Sequence, residues 1–181
     1  TGQIVLTIAL SLAALGTVHA TFPGENGVIL STGHLTTPPY SYVQRTADDG
    51  SGNATNLAVG YAPAASPNGR QVAFLTWPQE LNIMNIDGSD QTSMGVSDVT
   101  FSAWSPDGTK IAYVRGYDVY VYDLATNKES PVTTGGTITK THGVAEFVAQ
   151  EEMGRFTGYW WSPDGKHIAY EEADHTGVEV W

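Results

Sequence analysis

The segment Val144-Ala145-Glu146-Phe147-Val148-Ala149-Gln150-Glu151-Glu152-Met153, followed by Gly154, holds the residues of this sequence best placed to do chemistry. Alanine, glutamate, glutamine and methionine dominate it, and a glycine stands just past its end. That composition predicts a short helix over 144–153 with a glycine stop. Successive helical side chains diverge by about 100°, whereas successive strand side chains point to opposite faces. Glu151 and Glu152 can therefore converge on one small cation from a helical turn but not from a strand. An ammonium group offers three donors and no acceptor, and ionised carboxylates only accept, so the pair matches a free amino terminus. From residue types alone, two adjacent glutamates on a surface helix of an acidic protein are more often a solvated face.

Other residues with chemical potential are less organised. The chain has no cysteine, which removes disulfides, thiolate metal sites and cysteine nucleophiles together. Of its five histidines, His142, His167 and His175 fall in strands or turns or beside the helix, none at ligand spacing, and are read as surface or turn residues. Asp48-Asp49-Gly50-Ser51-Gly52-Asn53 and Asp87-Gly88-Ser89-Asp90 resemble calcium loops but lack a closing glutamate, and read as hairpin turns. Asn53-Ala54-Thr55 is a formal glycosylation sequon. No G-x-S-x-G nucleophile elbow occurs, so no catalytic residue is assigned; neither a metal nor a cofactor is expected. With 8 Lys plus Arg against 19 Asp plus Glu the formal net charge is −11, which argues against nucleic acid, DNA included, and against anionic lipid as partners.

The elements that must position the glutamates come from a repeat. Ser66-Pro67-Asn68-Gly69, Ser105-Pro106-Asp107-Gly108 and Ser162-Pro163-Asp164-Gly165 are copies of one turn, each leading into an apolar strand: Gln71–Leu75, Lys110–Val114 and Lys166–Tyr170. Proline presets φ at the second turn position and glycine supplies a positive φ. Second strands follow at Leu81–Ile86 and Asp118–Leu124, and an earlier, weaker unit spans Gly27–Leu30 and Tyr40–Gln44, closing at Asp49-Gly50. Trp104, Trp160, Trp161 and tyrosines 113, 120, 122, 159 and 170 are read as blade-core residues. The first two turns lie 39 residues apart, close to the ~40–45 of a four-stranded propeller blade. The next interval is 57 residues, so a segment at about 138–156 is inserted between blades, where binding residues tend to sit. The fold expected is all-β: a partial β-propeller of three to four blades with one short inserted helix, its last strand breaking off at Val178–Trp181.

Residues Ile4 to Val18 form an apolar stretch ending in Val18-His19-Ala20, a small–x–small pattern like a signal-peptidase site and shorter than the ~20 residues of a spanning helix. Residues 1–20 are read as a signal peptide lacking its first residues, and 21–181 as the propeller fragment, with a periplasmic or secreted address.

The run Ala145–Met153, then Arg155, then Gly158-Tyr159-Trp160-Trp161-Ser162-Pro163-Asp164-Gly165-Lys166 resembles the dipeptidyl peptidase IV branch of the prolyl oligopeptidase superfamily of serine peptidases. The likeness runs from about Trp104 to Trp181. It implies that Glu151 and Glu152 hold a substrate's N-terminal ammonium, leaving two residues before the scissile bond, so that dipeptides are released, typically after Pro or Ala. It also implies a Ser-Asp-His triad in a C-terminal α/β-hydrolase domain that these residues do not include, so the chain alone is not expected to hydrolyse peptides. The family's substrate-binding arginine has no counterpart in Leu75-Thr76-Trp77-Pro78-Gln79-Glu80 and is left unassigned. Partners implied are peptides with a free N-terminus and that hydrolase domain, with homo-oligomerisation left open. The alternative is a non-enzymatic propeller for protein–protein contact: Thr21–Gly27 and the Asp-Gly hairpins resemble TolB-type periplasmic proteins.

Overall fold

The alternation of proline–glycine turns with β-branched and aromatic runs yields short antiparallel strands. The structure is a computed structural model that describes residues 3–8, 18–19, 25–34, 41–47 and 52–178. It divides into two units, Thr1–Trp104 and Ser105–Trp181.

In the first unit, β1 (Gln3–Ile8), β2 (Val18–His19), β3 (Glu25–His34), β4 (Ser41–Thr46) and β5 (Thr55–Val59) form a sheet in the order β2-β1-β3-β4-β5. β1 runs parallel to β3, and the β3–β4 and β4–β5 pairs are antiparallel. A second sheet follows in sequence order, β6 (Tyr61–Ala65), β7 (Gln71–Thr76), β8 (Glu80–Asn85) and β9 (Thr92–Ser93), all antiparallel. Leu30, Val43, Ala58, Val72, Phe74 and Met84 make the buried core of this unit. β10 (Thr100–Trp104) ends it, with the Trp104 indole donating to the Ala64 carbonyl at 2.9 Å.

The second unit holds β11 (Lys110–Arg115), β12 (Asp118–Asp123) and β13 (Lys128–Pro131) in antiparallel succession. β14 (Lys140–His142) pairs with β17 (Glu172–Asp174), and β15 (Tyr159–Trp161) pairs with β16 (Ile168–Tyr170). Between them lies α1 (Phe147–Met153), the one α-helix among the described residues. In both β7 and β11 the four central residues are buried, so neither face meets water; continuous apolar runs are what such strands require. The Tyr159 hydroxyl, fully buried, donates to the Ala112 carbonyl at 2.8 Å, and burial pushes its phenol upward.

The three repeated turns close by one set of bonds. In each, the glycine amide donates to the serine carbonyl at 2.9 Å, and the amide five residues past the serine donates to its Oγ at 2.9 Å. The third turn residue completes the ring: Asn68, Asp107 and Asp164 accept from the amides of Arg70, Thr109 and Lys166 at 2.9, 3.0 and 3.1 Å. Gly69, Gly108 and Gly165 adopt φ of 68°, 71° and 66°, a region that costs any other residue a steric penalty.

Two expectations need correction. The helix starts at Phe147, three residues later than composition suggests, because the Glu146 side chain turns back to cap the first turn and Val144 forms a β-bridge with Thr157. Trp160 and Tyr170 are exposed, unlike Trp104, Tyr113, Tyr122 and Tyr159, which are buried. Within residues 1–20, read from the sequence as a leader, the structure describes Gln3–Ile8 and Val18–His19 as strands, and residues 1–2, 9–17 and 20 lie outside the described residues. The same holds for Asp48–Ser51 and for Glu179–Trp181.

Ser105 is fully buried, and its Oγ donates to Asp107 at 2.6 Å. Replacing Ser105 by Ala strips the Lys110 amide of its acceptor and is expected to lower unfolding free energy by about 1–2 kcal/mol in urea titration. Asp107 is held down at about 2 by the Ser105 hydroxyl and the Thr109 amide. Its folded value is therefore depressed, so the turn's contribution is complete above the unfolded carboxylate range and is lost as pH falls from about 4 to 2. Acid titration of the wild type should show that loss, and Asp107→Asn should remove its share of the slope.

Candidate functional site

The inserted segment begins at a buried charge. Asp118, at the first position of β12, is 7% exposed, and its carboxylate accepts from Thr133 Oγ1 at 2.8 Å and from the Gly136 amide at 2.9 Å. Its Oδ1 also lies 2.7 Å from His142 Nδ1, while His142 Nε2 lies 3.0 Å from Glu172 Oε2. Carboxylates only accept, so the imidazole makes both contacts at once only when both nitrogens carry a proton. Burial works to raise Asp118, but the bonds from His142, Thr133 and Gly136 prevail and hold it below the usual carboxylate range. His142 is 4% exposed, so it is not the surface or turn histidine that its spacing suggested. Glu172 also pairs with Lys140 Nζ at 3.1 Å, and that lysine lowers its carboxyl.

The chain then passes Gly143, whose φ of 74° and packing leave no room for a side chain: an added Cβ would overlap Val119 Cγ2. Beyond it, Glu146 caps α1, its carboxylate accepting from the amides of Val148 at 2.7 Å and Ala149 at 2.8 Å. Gly154, at φ 60°, ends the helix in the left-handed conformation and donates to the Ala149 carbonyl. Only Ala149 of the helix is buried, whereas Phe147, Val148 and Met153 are exposed.

Glu151 and Glu152 stand on the last turn of this helix, both exposed. Among the described residues neither carboxylate meets a hydrogen-bond donor or a cation. The neighbouring cations are committed elsewhere: Arg155 donates from Nη2 to Glu171 Oε1 at 2.7 Å and from Nη1 to the Thr157 carbonyl at 2.9 Å, with its guanidinium 5.4 Å from the Trp160 ring centre. Asp118, His142, Arg155, Glu171 and Glu172 thus build the base of the insertion, and none was singled out as functional from the sequence. A pair of glutamates at 171–172, opposite the basic residues 140 and 155, was the available signal. His167 and His175 are exposed, as expected, and no group of three or more metal-ligating side chains occurs among the described residues.

Short antiparallel sheets closed by a repeated turn, with a helix-bearing insertion, define a β-propeller class, and solved structures agree. The crystal structure of Porphyromonas gingivalis dipeptidyl peptidase 4 aligns with 76% of this chain and 23% of its own, at a TM-score of 0.60 and 21% identity. TolB from Acinetobacter baumannii aligns with 81% of this chain and 36% of its own, at 0.58 and 16%. These likenesses show the fold, a partial β-propeller. Residues 77–181 match the family described as dipeptidyl peptidase IV (DPP IV) N-terminal region, and the chain belongs to that family. Curated relatives include dipeptidyl peptidase 4 of Trichophyton tonsurans, 34% identical over 103 residues, and a probable dipeptidyl peptidase 4 of Neosartorya fischeri, 35% identical over 104. The first match covers 55% of this chain and the second 57%, and each covers 13% of the relative's length.

Replacing His142 by Ala removes one of the three donors that meet the buried Asp118, and is expected to cost about 1–3 kcal/mol of stability. Glu151→Gln and Glu152→Gln, at exposed positions without partners, should each stay within about 0.5 kcal/mol of wild type. Thermal and urea unfolding of the three variants checks the contrast.

Proposed function

We propose that this chain is the substrate-selecting propeller region of a dipeptidyl peptidase IV-like serine exopeptidase, and that Glu151 and Glu152 grip the ammonium of a peptide's first residue. Hydrolysis would be the work of the Ser-Asp-His triad in a C-terminal α/β-hydrolase domain. The observation that carries the proposal is the state of the two carboxylates: adjacent, exposed, on a capped helical turn, and free of internal partners among the described residues. A protonated amino terminus supplies the three donors such a pair lacks. Anchoring that terminus fixes how many residues reach the scissile bond, so release of dipeptides follows from the distance between anchor and nucleophile. A periplasmic or secreted location belongs to the proposal and rests on the apolar stretch Ile4–Val18.

Titration with a free-amine Xaa-Pro peptide and its N-acetylated twin tests this. The free amine should bind at least about tenfold more tightly. Glu151→Gln or Glu152→Gln should erase much of that preference, and added salt should weaken it because exposed ion pairs are screened. Equal binding of both peptides, unaffected by either substitution, would sink the anchor role and favour the alternative of a TolB-like surface for protein contact.

A further inference from the structure

We infer that Glu171 is a positioning residue that fastens both ends of the glutamate-bearing helix, with Arg155 as its counterpart, and so holds Glu151 and Glu152 in register. The inference rests on the proposed ammonium anchor and adds to it the part of the molecule that aims it.

A seven-residue helix does not hold itself together, because too few internal bonds offset the cost of ordering its first turn. Packing gives this one little help, since Ala149 alone is buried. Its order must come from its ends. At the entry, the Glu146 amide donates to Glu171 Oε2 at 3.2 Å. At the exit, Arg155, the residue after the glycine cap, donates its own amide to Ala149 at 3.0 Å and its guanidinium to Glu171 Oε1 at 2.7 Å. One carboxylate thus receives the residue before the helix on one oxygen and the residue after it on the other.

The carboxylate is itself on a fixed support. The Glu171 amide donates to the Gly158 carbonyl at 2.7 Å, and its carbonyl accepts from the Gly143 amide at 2.9 Å, so its backbone is bonded to the residue after β14 and the residue before β15. Side chains of Glu171 and Arg155 are 28% and 29% exposed, enough shelter for their ion pair to be more than a screened surface contact. Glu172, one residue on and the first residue of β17, instead meets His142 and Lys140. The two successive glutamates therefore fasten the helix on one side and the start of the insertion on the other.

The test uses the whole chain and two readouts. In Glu171→Gln, amide exchange over residues 150–155 should accelerate about tenfold, the worth of a charged hydrogen bond, while amides of β11 and β12 keep their protection. In the same variant the preference for the free-amine peptide over its acetylated twin should fall by a similar factor. Glu171→Asp, which keeps the charge on a shorter arm, should recover part of both. Unchanged exchange overturns the inference, as does faster exchange with an intact amine preference. If the wild type shows no amine preference, the anchor itself has failed, and exchange in Glu171→Gln still decides whether this clamp exists.

Discussion

A carboxylate taken out of water must be met by donors, and the insertion is organised around the place where this chain does so. Asp118 begins a strand at 7% exposure and gathers a hydroxyl, a backbone amide and an imidazole from residues 15 to 24 positions further on. Leaving any one of these out would remove one of the three contacts that offset the burial, a cost of about 1–3 kcal/mol. The segment Thr133–His142 therefore has to return to β12 before it can depart again. His142 then reaches Glu172, whose strand β17 closes against β14, and so the two edges of the insertion are brought side by side. The buried acid fixes where the excursion starts and finishes.

From that base the control passes by charge rather than by apolar packing. Glu172 meets His142 and Lys140, and Glu171, the residue before it, meets Arg155 and the Glu146 amide. Gly143 allows the chain to press against Val119 where a side chain would collide. The helix that results exposes Phe147, Val148 and Met153 and buries almost nothing. An element held in this way keeps its direction through a few directional bonds, which suits a part that must present side chains outward instead of covering a core.

Much of the fold was legible because its signals are local. Pro–Asn–Gly and Pro–Asp–Gly specify turns through φ alone, and the first two are followed by strands whose four central residues are apolar and buried, so turn and strand could be placed without knowing the partners. Glu151 and Glu152 were legible for the same reason: adjacent residues on a glycine-terminated helix need only local geometry. The rest was not. Composition extends the helix back to Val144, but the capping reach of Glu146 and the bridge to Thr157 are tertiary choices. His142 reads as a surface residue because its partners lie 24 residues before and 30 after it, and nothing in the spacing of histidines reports a carboxylate on another strand. Trp160 was placed in the core on its size, yet its ring lies outside with the Arg155 guanidinium near it, a use of an aromatic face that hydrophobicity does not reveal.

Two glutamate pairs in one short stretch of chain have opposite electrostatic fates, and the difference bears on what the insertion is for. Glu171 and Glu172 are met by Arg155, Lys140 and His142, so the basic side chains at the base of the insertion are already engaged. Glu151 and Glu152 lie side by side with no such partner among the described residues, on a chain whose net charge is −11. Two like charges on adjacent residues repel, and an exposed helix could relieve the repulsion by fraying. Instead the same helix is capped by Glu146, stopped by Gly154 and tied at both ends through Glu171. Ordering effort of that kind is wasted on a solvated acidic face, which functions equally well when mobile. It has a use if the two carboxylates must meet a cation that arrives from outside, because a site already held in place loses less freedom when the ligand binds. The free amino terminus of a peptide would fit that description in charge and in donor number.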